Sequence, residues 1–485
     1  MNNRGQITVY ISMVLAVLMI FVPAVINAID VMGAKTKSVT LLRTASSEIK
    51  ADYNRYIFDE YHILLIDKDY YGRGEAYIEE LIDSSIRANA GDAFDVESVE
   101  LSGYTGLMEN NLFKFKEQVS EYFLYGVINA AVEEAAGFIE NENGMEDSRI
   151  SEMDSKSGGL SGDGGEYAPK EDADAGEEDV EAEKGKMSYE EAKKKDPRKA
   201  VSLWARLGIG NLIKPDDMVL TDAVLDLPAL PSYGHTGFFN SSKIDTEFND
   251  YTKLSSFLKQ EKLTGGRVIN DMEMLAYAYE EFSSATDKYD DSKVLHLEKE
   301  YLIAGKDTEI ENYNFVVNEI VSLKFVLNLI FLLKDSEKMA EIEALATALT
   351  FYFPAAEPVV EYLLTACWAY AESVVDMYRL LRGHKVSMIK TRDNWKTSLE
   401  SLGTFDEAKN EDDDFLGFDY DIYLFTLMSL ETKSVEYRML DVMEVNTVKQ
   451  GYGGFSMKNA ITDFGINADI SYGTNRFSIR EEAGF

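Results

Sequence analysis

Residues Ile7 to Ile29 read ITVYISMVLAVLMIFVPAVINAI, and no charged side chain interrupts them. A helix rises about 1.5 Å per residue, so this run matches the roughly 30 Å hydrocarbon core of a bilayer. Pro23 falls in its last third, where a lipid-embedded helix tolerates a kink. Arg4 precedes the segment and Asp30 closes it. The positive-inside rule then predicts a short cytoplasmic N-terminus and an outward-facing remainder, although Lys35, Lys37 and Arg43 add positive charge on the translocated side. The reading adopted is a retained single-pass anchor over residues 1–30. A cleaved secretory signal ending near Ile26-Asn27-Ala28 is the second reading, opposed by the length of the apolar core. A buried core helix is the third, opposed by the isolation of the run at the N-terminus.

Beyond the anchor, Val31, Ala34, Val39, Leu42, Ala45, Ile49, Tyr53 and Ile57 recur at three-to-four spacing, which predicts an amphipathic stalk continuing to about Asp59. Glu75–Ala88 is predicted helical. The alternation in Asp95–Tyr104 predicts a half-buried strand. Leu107–Glu140 is again amphipathic. Residues 141–196 carry 18 acids, 8 bases and 8 glycines, and are predicted to be a disordered acidic linker. From residue 197 the composition turns globular. Helices are predicted over Val201–Ile213, Asp245–Glu261, Asn270–Thr286, His296–Tyr301, Asn312–Lys334, Glu337–Tyr352, Glu357–Arg382, Trp395–Leu402 and Asp419–Thr447, with Gly383 as a left-handed stop. After Gly451, Gly453 and Gly454, Phe464–Tyr472 alternates as a strand, expected to pair with Val96–Leu101.

The sequence Arg4-Gly5-Gln6-Ile7-Thr8-Val9-Tyr10-Ile11 resembles the start of the minor pseudopilins of tight-adherence (Tad/Flp) pilus systems. In that family a prepilin peptidase cuts after the glycine, which implies Gly5 and Gln6 as a cleavage site. Here Tyr10 stands where those pseudopilins usually carry Glu. Three further stretches resemble a domain-of-unknown-function family of Gram-positive bacterial envelope proteins linked to tight-adherence loci. They are Cys367-Trp368 through Val386 with Lys390 and Trp395, Asp419–Leu424 with Tyr437–Asn446, and Tyr53-Asn54-Arg55 with Tyr61. That resemblance implies a pilus-associated setting and no known activity. The expected architecture is mostly α with a small α+β part. It comprises a long N-terminal transmembrane and stalk helix, a small pilin-like α+β module formed by residues 31–140 and 451–485, and a larger helical bundle over 197–450.

Across 485 residues the chain has 86 acidic and 48 basic side chains, a formal charge of -38. Residues 141–196 account for -10, so the acidity is spread over the folded parts as well. Such a field repels phosphate backbones and anionic lipid surfaces, which argues against nucleic-acid partners. Cys367 is the only thiol, and His62, His235, His296 and His384 lack ligand spacing, so no disulfide, metal or cofactor is expected. His296-Leu297-Glu298 is the nearest pairing, read as exposed helix residues. Asp172-Ala-Asp174 lacks a full calcium-ligand series, and Asp412-Asp413-Asp414 reads as a solvated loop. The glycine clusters at 162–165 and 451–454 lack a phosphate-loop lysine, and no serine elbow occurs.

Glu372, Asp376 and Arg379 fall on one helical face. The preferred reading is a structural salt-bridge network, with Arg379, Arg438 or Lys385 keeping Glu372 charged. Arg438, Asp441 and Glu444 repeat the spacing. The alternative is a cell-envelope hydrolase acting on glycan with Glu372 and Asp376; two carboxylates on one helix turn make a poor clamp across a glycosidic bond, and burial of Glu372 in a salt bridge would count against it. The function expected is therefore non-enzymatic: a membrane-anchored, pseudopilin-like structural or adhesive component of a tight-adherence-type pilus or secretion apparatus. Its expected partners are lipid, other pilins and pseudopilins, and pilus-assembly membrane proteins. The expected location is the cell membrane, with the bulk extracellular and possible incorporation in a surface filament.

Overall fold

The computed structural model describes residues 3–124, 187–237, 267–400 and 412–485, with the single residues 239, 402 and 405. The chain is mostly α-helical with one small antiparallel sheet. It divides into two compact units, Met1–Tyr125 with Leu440–Phe485, and Gly126–Met439.

The first unit is built on α1 (Asn3–Ala51), one helix with two kinds of surface. Every residue from Ile7 to Ile29 is exposed. From Ala34 onward, Ser38, Leu41, Leu42, Ala45 and Ile49 turn into a core at three-to-four spacing. The stalk does not run unbroken to Asp59. It stops at Ala51, and Asn54 starts α2 (Arg55–Tyr61) by accepting the Ile57 N–H through its side chain. An N-capping side chain needs extended backbone, so Asn54 ends one helix by opening the next. Opposite α1 lies α3 (Ala76–Ala90), which presents Ile78, Ile82, Ile86 and Ala90 to the same core, and α4 (Glu109–Leu124) forms the described part of the amphipathic stretch expected over Leu107–Glu140.

The sheet completes this unit. Its central strand is β3 (Ala460–Tyr472), flanked by β2 (Phe94–Gly106) and β4 (Asn475–Gly484), with the short β1 (Ile66–Asp67) also paired to β3. The register sets Val96 against Ile470 and Leu101 against Ile466, which is the pairing expected between the chain's two ends. The inward row of Val96, Ile466, Ala468, Ile470 and Ile479 packs on Leu42, Ala45, Ile82 and Ile86. Each valine, leucine or isoleucine among them contributes roughly 1.5–3 kcal/mol on burial, the alanines less. β4 was not anticipated by the alternation; its inward row has only Phe477 and Ile479 before Glu481, which meets Arg43 of α1 instead.

The second unit has two long central helices, α10 (Glu309–Lys334) and α12 (Glu357–Leu380), with α11 (Ser336–Leu349) packed on α12. Around them lie α5 (Tyr189–Lys195), α6 (Arg198–Leu207), α7 (Ile209–Ile213), α8 (Arg267–Glu281), α9 (Glu298–Ala304) and α13 (Tyr420–Ser429). α14 (Thr432–Lys449) contains the division between units. α10 is apolar and long enough to cross a bilayer, yet it is largely buried among other helices and carries Lys324 at its centre. Gly383, with φ +82°, ends the α12 region, and the His384 N–H reaches back to the Arg379 carbonyl.

Several sequence expectations are corrected. The acidic linker cannot extend to 196, because Ser188 and Glu191 form a capping box that starts α5. Most of that linker, Asp172-Ala-Asp174 and the helix expected over Asp245–Glu261 lie outside the described residues. The helix expected over Val201–Ile213 breaks at Gly208, whose φ is +81°. The one expected over Asp419–Thr447 divides into α13 and α14. Trp395–Leu402 forms no helix; the Lys396 and Thr397 N–H groups donate to Glu372.

Gly465 allows β2 to lie against β3. A Cβ there would collide with the Ser102 carbonyl oxygen, its ladder neighbour. Gly465→Ala is expected to destabilise the first unit by about 1–3 kcal/mol, read as a lower denaturant midpoint. An unchanged midpoint would contradict this pairing.

Candidate functional site: a buried ionic cluster

α12 aims Glu372, Asp376 and Arg379 into the second unit, where all three are fully buried. α10 supplies Lys324 from the facing helix, and the connection after α12 supplies Lys390 and Asp414. Lys390 Nζ lies 2.7 Å from Glu372 Oε1 and 2.7 Å from Asp376 Oδ1. Lys324 Nζ lies 3.2 Å from Asp376 Oδ2, and Arg379 Nη1 lies 2.9 Å from Asp414 Oδ1. Three carboxylates thus face three cations, and none of the six charged side chains has solvent exposure.

Much of the remaining hydrogen-bonding capacity is also engaged, although Arg379 Nε and Asn328 Oδ1 are buried without a partner. Lys324 donates to the Ser387 and Met388 carbonyls at 2.6 and 3.0 Å, and Lys390 to the Asn394 carbonyl at 2.9 Å. Glu372 accepts from the Thr397 hydroxyl at 2.8 Å, and Asp414 from the Ser387 N–H at 3.0 Å. Asn328 of α10 donates to Ser373 of α12 at 2.9 Å. A buried charge without partners costs several kcal/mol, and here each has at least one opposite charge. Burial raises the Asp376 carboxyl, but the Lys324 and Lys390 ammoniums outweigh it and hold the group below its ordinary value. Burial disfavours the Lys390 ammonium, yet Asp376 and Glu372 reverse the sign and push it above its ordinary value.

The expected network is therefore differently wired. Glu372 and Asp376 come together on Lys390, while Arg379 turns to Asp414. Lys385 contributes its backbone: its N–H donates to Asp413 at 2.9 Å and its carbonyl accepts from the Asp414 N–H at 3.0 Å. Arg438 is elsewhere: its guanidinium donates to the Leu302 and Ile303 carbonyls at 2.9 and 2.6 Å, at the negative end of α9. It stands so close to Gly305 that a Cβ there would overlap it. Glu444 shares the Arg438 spacing but accepts from the Met457 N–H at 2.6 Å within the first unit. Gly5 and Gln6 lie in the first turns of α1.

A second acidic group surrounds α9. His296 and Glu298, expected to be exposed, are buried. Glu298 Oε2 accepts from Ser283 N–H and Lys293 Nζ, both at 2.9 Å. Glu309 Oε1 accepts from the Leu297 N–H at 2.8 Å. Glu300 Oε1 accepts from Ala285 N–H at 3.0 Å and Tyr420 Oη at 2.9 Å. These carboxylates fasten the segment between α8 and α9. Burial raises the Glu300 carboxyl to about 8.

Among the described residues no group of three or more His, Cys, Asp or Glu side chains could hold a metal ion. Asp412-Asp413-Asp414 is consumed by the fold: the Asp412 carbonyl and Asp414 bind Arg379, and Asp413 binds Lys385. Two surface depressions, about 220 Å³ around Asp469 and about 400 Å³ around Lys195, touch none of the clustered carboxylates. The chemistry available to Glu372 and Asp376 in this arrangement is charge pairing.

The profile of a family of unknown function, DUF5702, matches residues 187–472, more than half of the sequence. The chain belongs to this family. The match begins one residue before the Ser188 cap, contains the whole ionic cluster and ends on the last residue of β3. Comparison with curated proteins and with solved structures yields no match.

Lys390→Met would remove the ammonium that pairs with Glu372 and leave Asp376 paired with Lys324 alone. The expected cost is about 3–5 kcal/mol, measured by urea unfolding at neutral pH, with partial recovery on adding Glu372→Gln. Equal stability of Lys390→Met and the parent would disprove the pairing.

Glu300 gives a pH signature. Its folded value of about 8 lies above the ordinary 4.5. The unfolded chain therefore releases this proton first, and the group's contribution is fully present below 4.5 and lost as pH rises through 8. Glu300→Gln is expected to flatten the fall in stability over that window, by at most about 1.4 kcal/mol per pH unit. Parallel pH curves for parent and variant would refute the shift.

Proposed function

We propose that the chain is a membrane-anchored, non-enzymatic envelope protein, acting as a pseudopilin-like structural or adhesive component of a tight-adherence-type pilus or secretion apparatus. The observation that carries this reading is α1. Its apolar stretch has mean hydropathy 2.7 and none of it is buried within the chain. In water such a surface would drive aggregation, whereas in a bilayer, or beside other apolar pilin helices, it is satisfied. The same helix continues without interruption into a small module whose sheet is closed by strands from near both chain ends. A long N-terminal helix with a bare apolar half and a half packed on a small antiparallel sheet is the arrangement implied by the pseudopilin resemblance of residues 4–11.

Burial of Glu372 and Asp376 supports this reading over a glycan hydrolase. A glycosidase needs two carboxylates that flank a substrate, and these two share one lysine out of solvent reach. In this proposal the N-terminal helix contacts lipid and other pilins or assembly proteins, and the family-matched region is displayed on the outer side.

Fractionation with alkaline carbonate washing tests the anchor. The parent is expected to stay in the membrane pellet. Val17→Lys with Leu18→Lys, at about 2.5–3.5 kcal/mol per charge at a helix centre, is expected to shift it to the soluble fraction. Parent protein free in the cytoplasm would refute the proposal. N-terminal sequencing of the membrane form then separates the routes: a start at Gln6 marks peptidase processing, and an intact start marks simple anchoring.

A further inference from the structure

The first half of α12 has two apolar faces. Leu364 and Trp368 turn inward and are buried. Val359, Tyr362 and Leu363 turn outward at helical spacing and are 62%, 67% and 42% exposed. The turn leading into the helix adds Phe351, Tyr352 and Phe353, exposed by 68%, 76% and 67%. Single exposed apolar residues are ordinary, but a contiguous set marks an interaction surface.

The charges around this face decide what fits it. From Asp335 to Ala366 the chain carries six carboxylates and one basic side chain, Lys338; Arg392 pairs with two of the six, Asp335 and Glu337, which leaves Glu341, Glu343, Glu357 and Glu361. Lys338 is spent elsewhere, 4.6 Å from the Trp368 ring centre and 5.0 Å from that of Trp395. Glu357 and Glu361 flank the outward stripe one turn apart, and Glu341 and Glu343 project from α11. On the α5 side, Lys193 sits over Tyr189 at 6.0 Å and Lys195 is paired with Glu400. An anionic bilayer would be repelled by this rim. A second copy would set carboxylate against carboxylate across a two-fold axis.

We propose that this face docks an amphipathic helix of a partner protein, apolar along one side and flanked by lysine or arginine. The outward stripe and the aromatic turn supply the apolar bed, and Glu357 and Glu361 supply the counter-charge. The inference stands on the second unit alone and does not depend on where the chain is anchored.

The test uses the full chain in nanodiscs of zwitterionic lipid. It is titrated with a labelled synthetic Leu/Lys peptide patterned as an amphipathic helix, and with the same composition scrambled. The patterned peptide is expected to bind, and Val359→Ser with Tyr362→Ser to weaken it about tenfold with no change of charge. Glu357→Gln with Glu361→Gln is expected to weaken binding and reduce its salt dependence. The Val359 and Tyr362 side chains lie at the surface, so that variant is expected to keep the parental unfolding midpoint; Glu357 accepts from the Thr347 hydroxyl, so the midpoint of the glutamate variant is measured alongside its affinity. Equal affinity for the scrambled peptide, or unchanged affinity of the Val359/Tyr362 variant, would overturn the proposal. So would loss, in that variant, of self-association or of adsorption to phosphatidylglycerol vesicles, since either assigns the face to another occupant.

Discussion

Lys390 bridges Glu372 and Asp376 at a point that no solvent reaches, and the helical unit is arranged around that contact. Each ion in the cluster loses several kcal/mol of hydration, so the site is tolerable only when every partner is in place. The partners come from different parts of the unit: Lys324 from α10, Asp376 and Arg379 from α12, Lys390 and Asp414 from the connection that follows. A slip of α10 against α12 by one turn would strand Lys324 and leave Asp376 with one counter-ion fewer. Apolar side chains at the same positions could pack in several registers, whereas the six charges are all paired in only one.

The first unit rests on a different constraint, the long loop closure between chain ends. Its central strand, β3, pairs with β2 across more than 350 residues, as in the Ser98–Asp469 contact. β2 alone is a half-sheet, and the Ile78, Ile82 and Ile86 row of α3 has no complete cover until Ile466, Ala468 and Ile470 arrive. Closure entropy grows only slowly with loop length, so the intervening domain raises the cost modestly while delaying assembly. The stalk half of α1 is amphipathic because it meets this late-arriving sheet. The half before it is apolar on every side, and none of the described residues covers it.

Much of this was legible in the sequence because it is local. Unbroken apolar composition marks Ile7–Ile29, period-two alternation marks Val96–Leu101 and Phe464–Tyr472, and three-to-four spacing marks α10, α11 and α12. The Glu372, Asp376 and Arg379 face was legible for the same reason. Their partners were not, because helical spacing says which residues share a face and nothing about what that face meets. One signal was available: Lys324 sits inside Ile320–Leu332, an otherwise mostly apolar stretch, and a lysine there requires a buried carboxylate. Trp395–Leu402 misled because its residues suit a helix, but its N–H groups are claimed by Glu372. β4 was missed because an ion pair, Arg43–Glu481, replaces the third apolar residue of its inward row.

The charge of -38 then sorts the two exposed apolar surfaces. Ile7–Ile29 contains no charge, so nothing opposes contact with hydrocarbon. Phe351–Leu363 includes Glu357 and Glu361, with the acidic surface of α11 nearby. Hydrophobic attraction is indifferent to identity and alone would let these surfaces meet each other or their own copies. At Phe351–Leu363 the carboxylates remove that freedom: they make like-with-like contact unfavourable there and favour surfaces of opposite charge. An acidity spread over the folded parts, rather than held in a tail, is what allows an apolar face to stay exposed and remain selective.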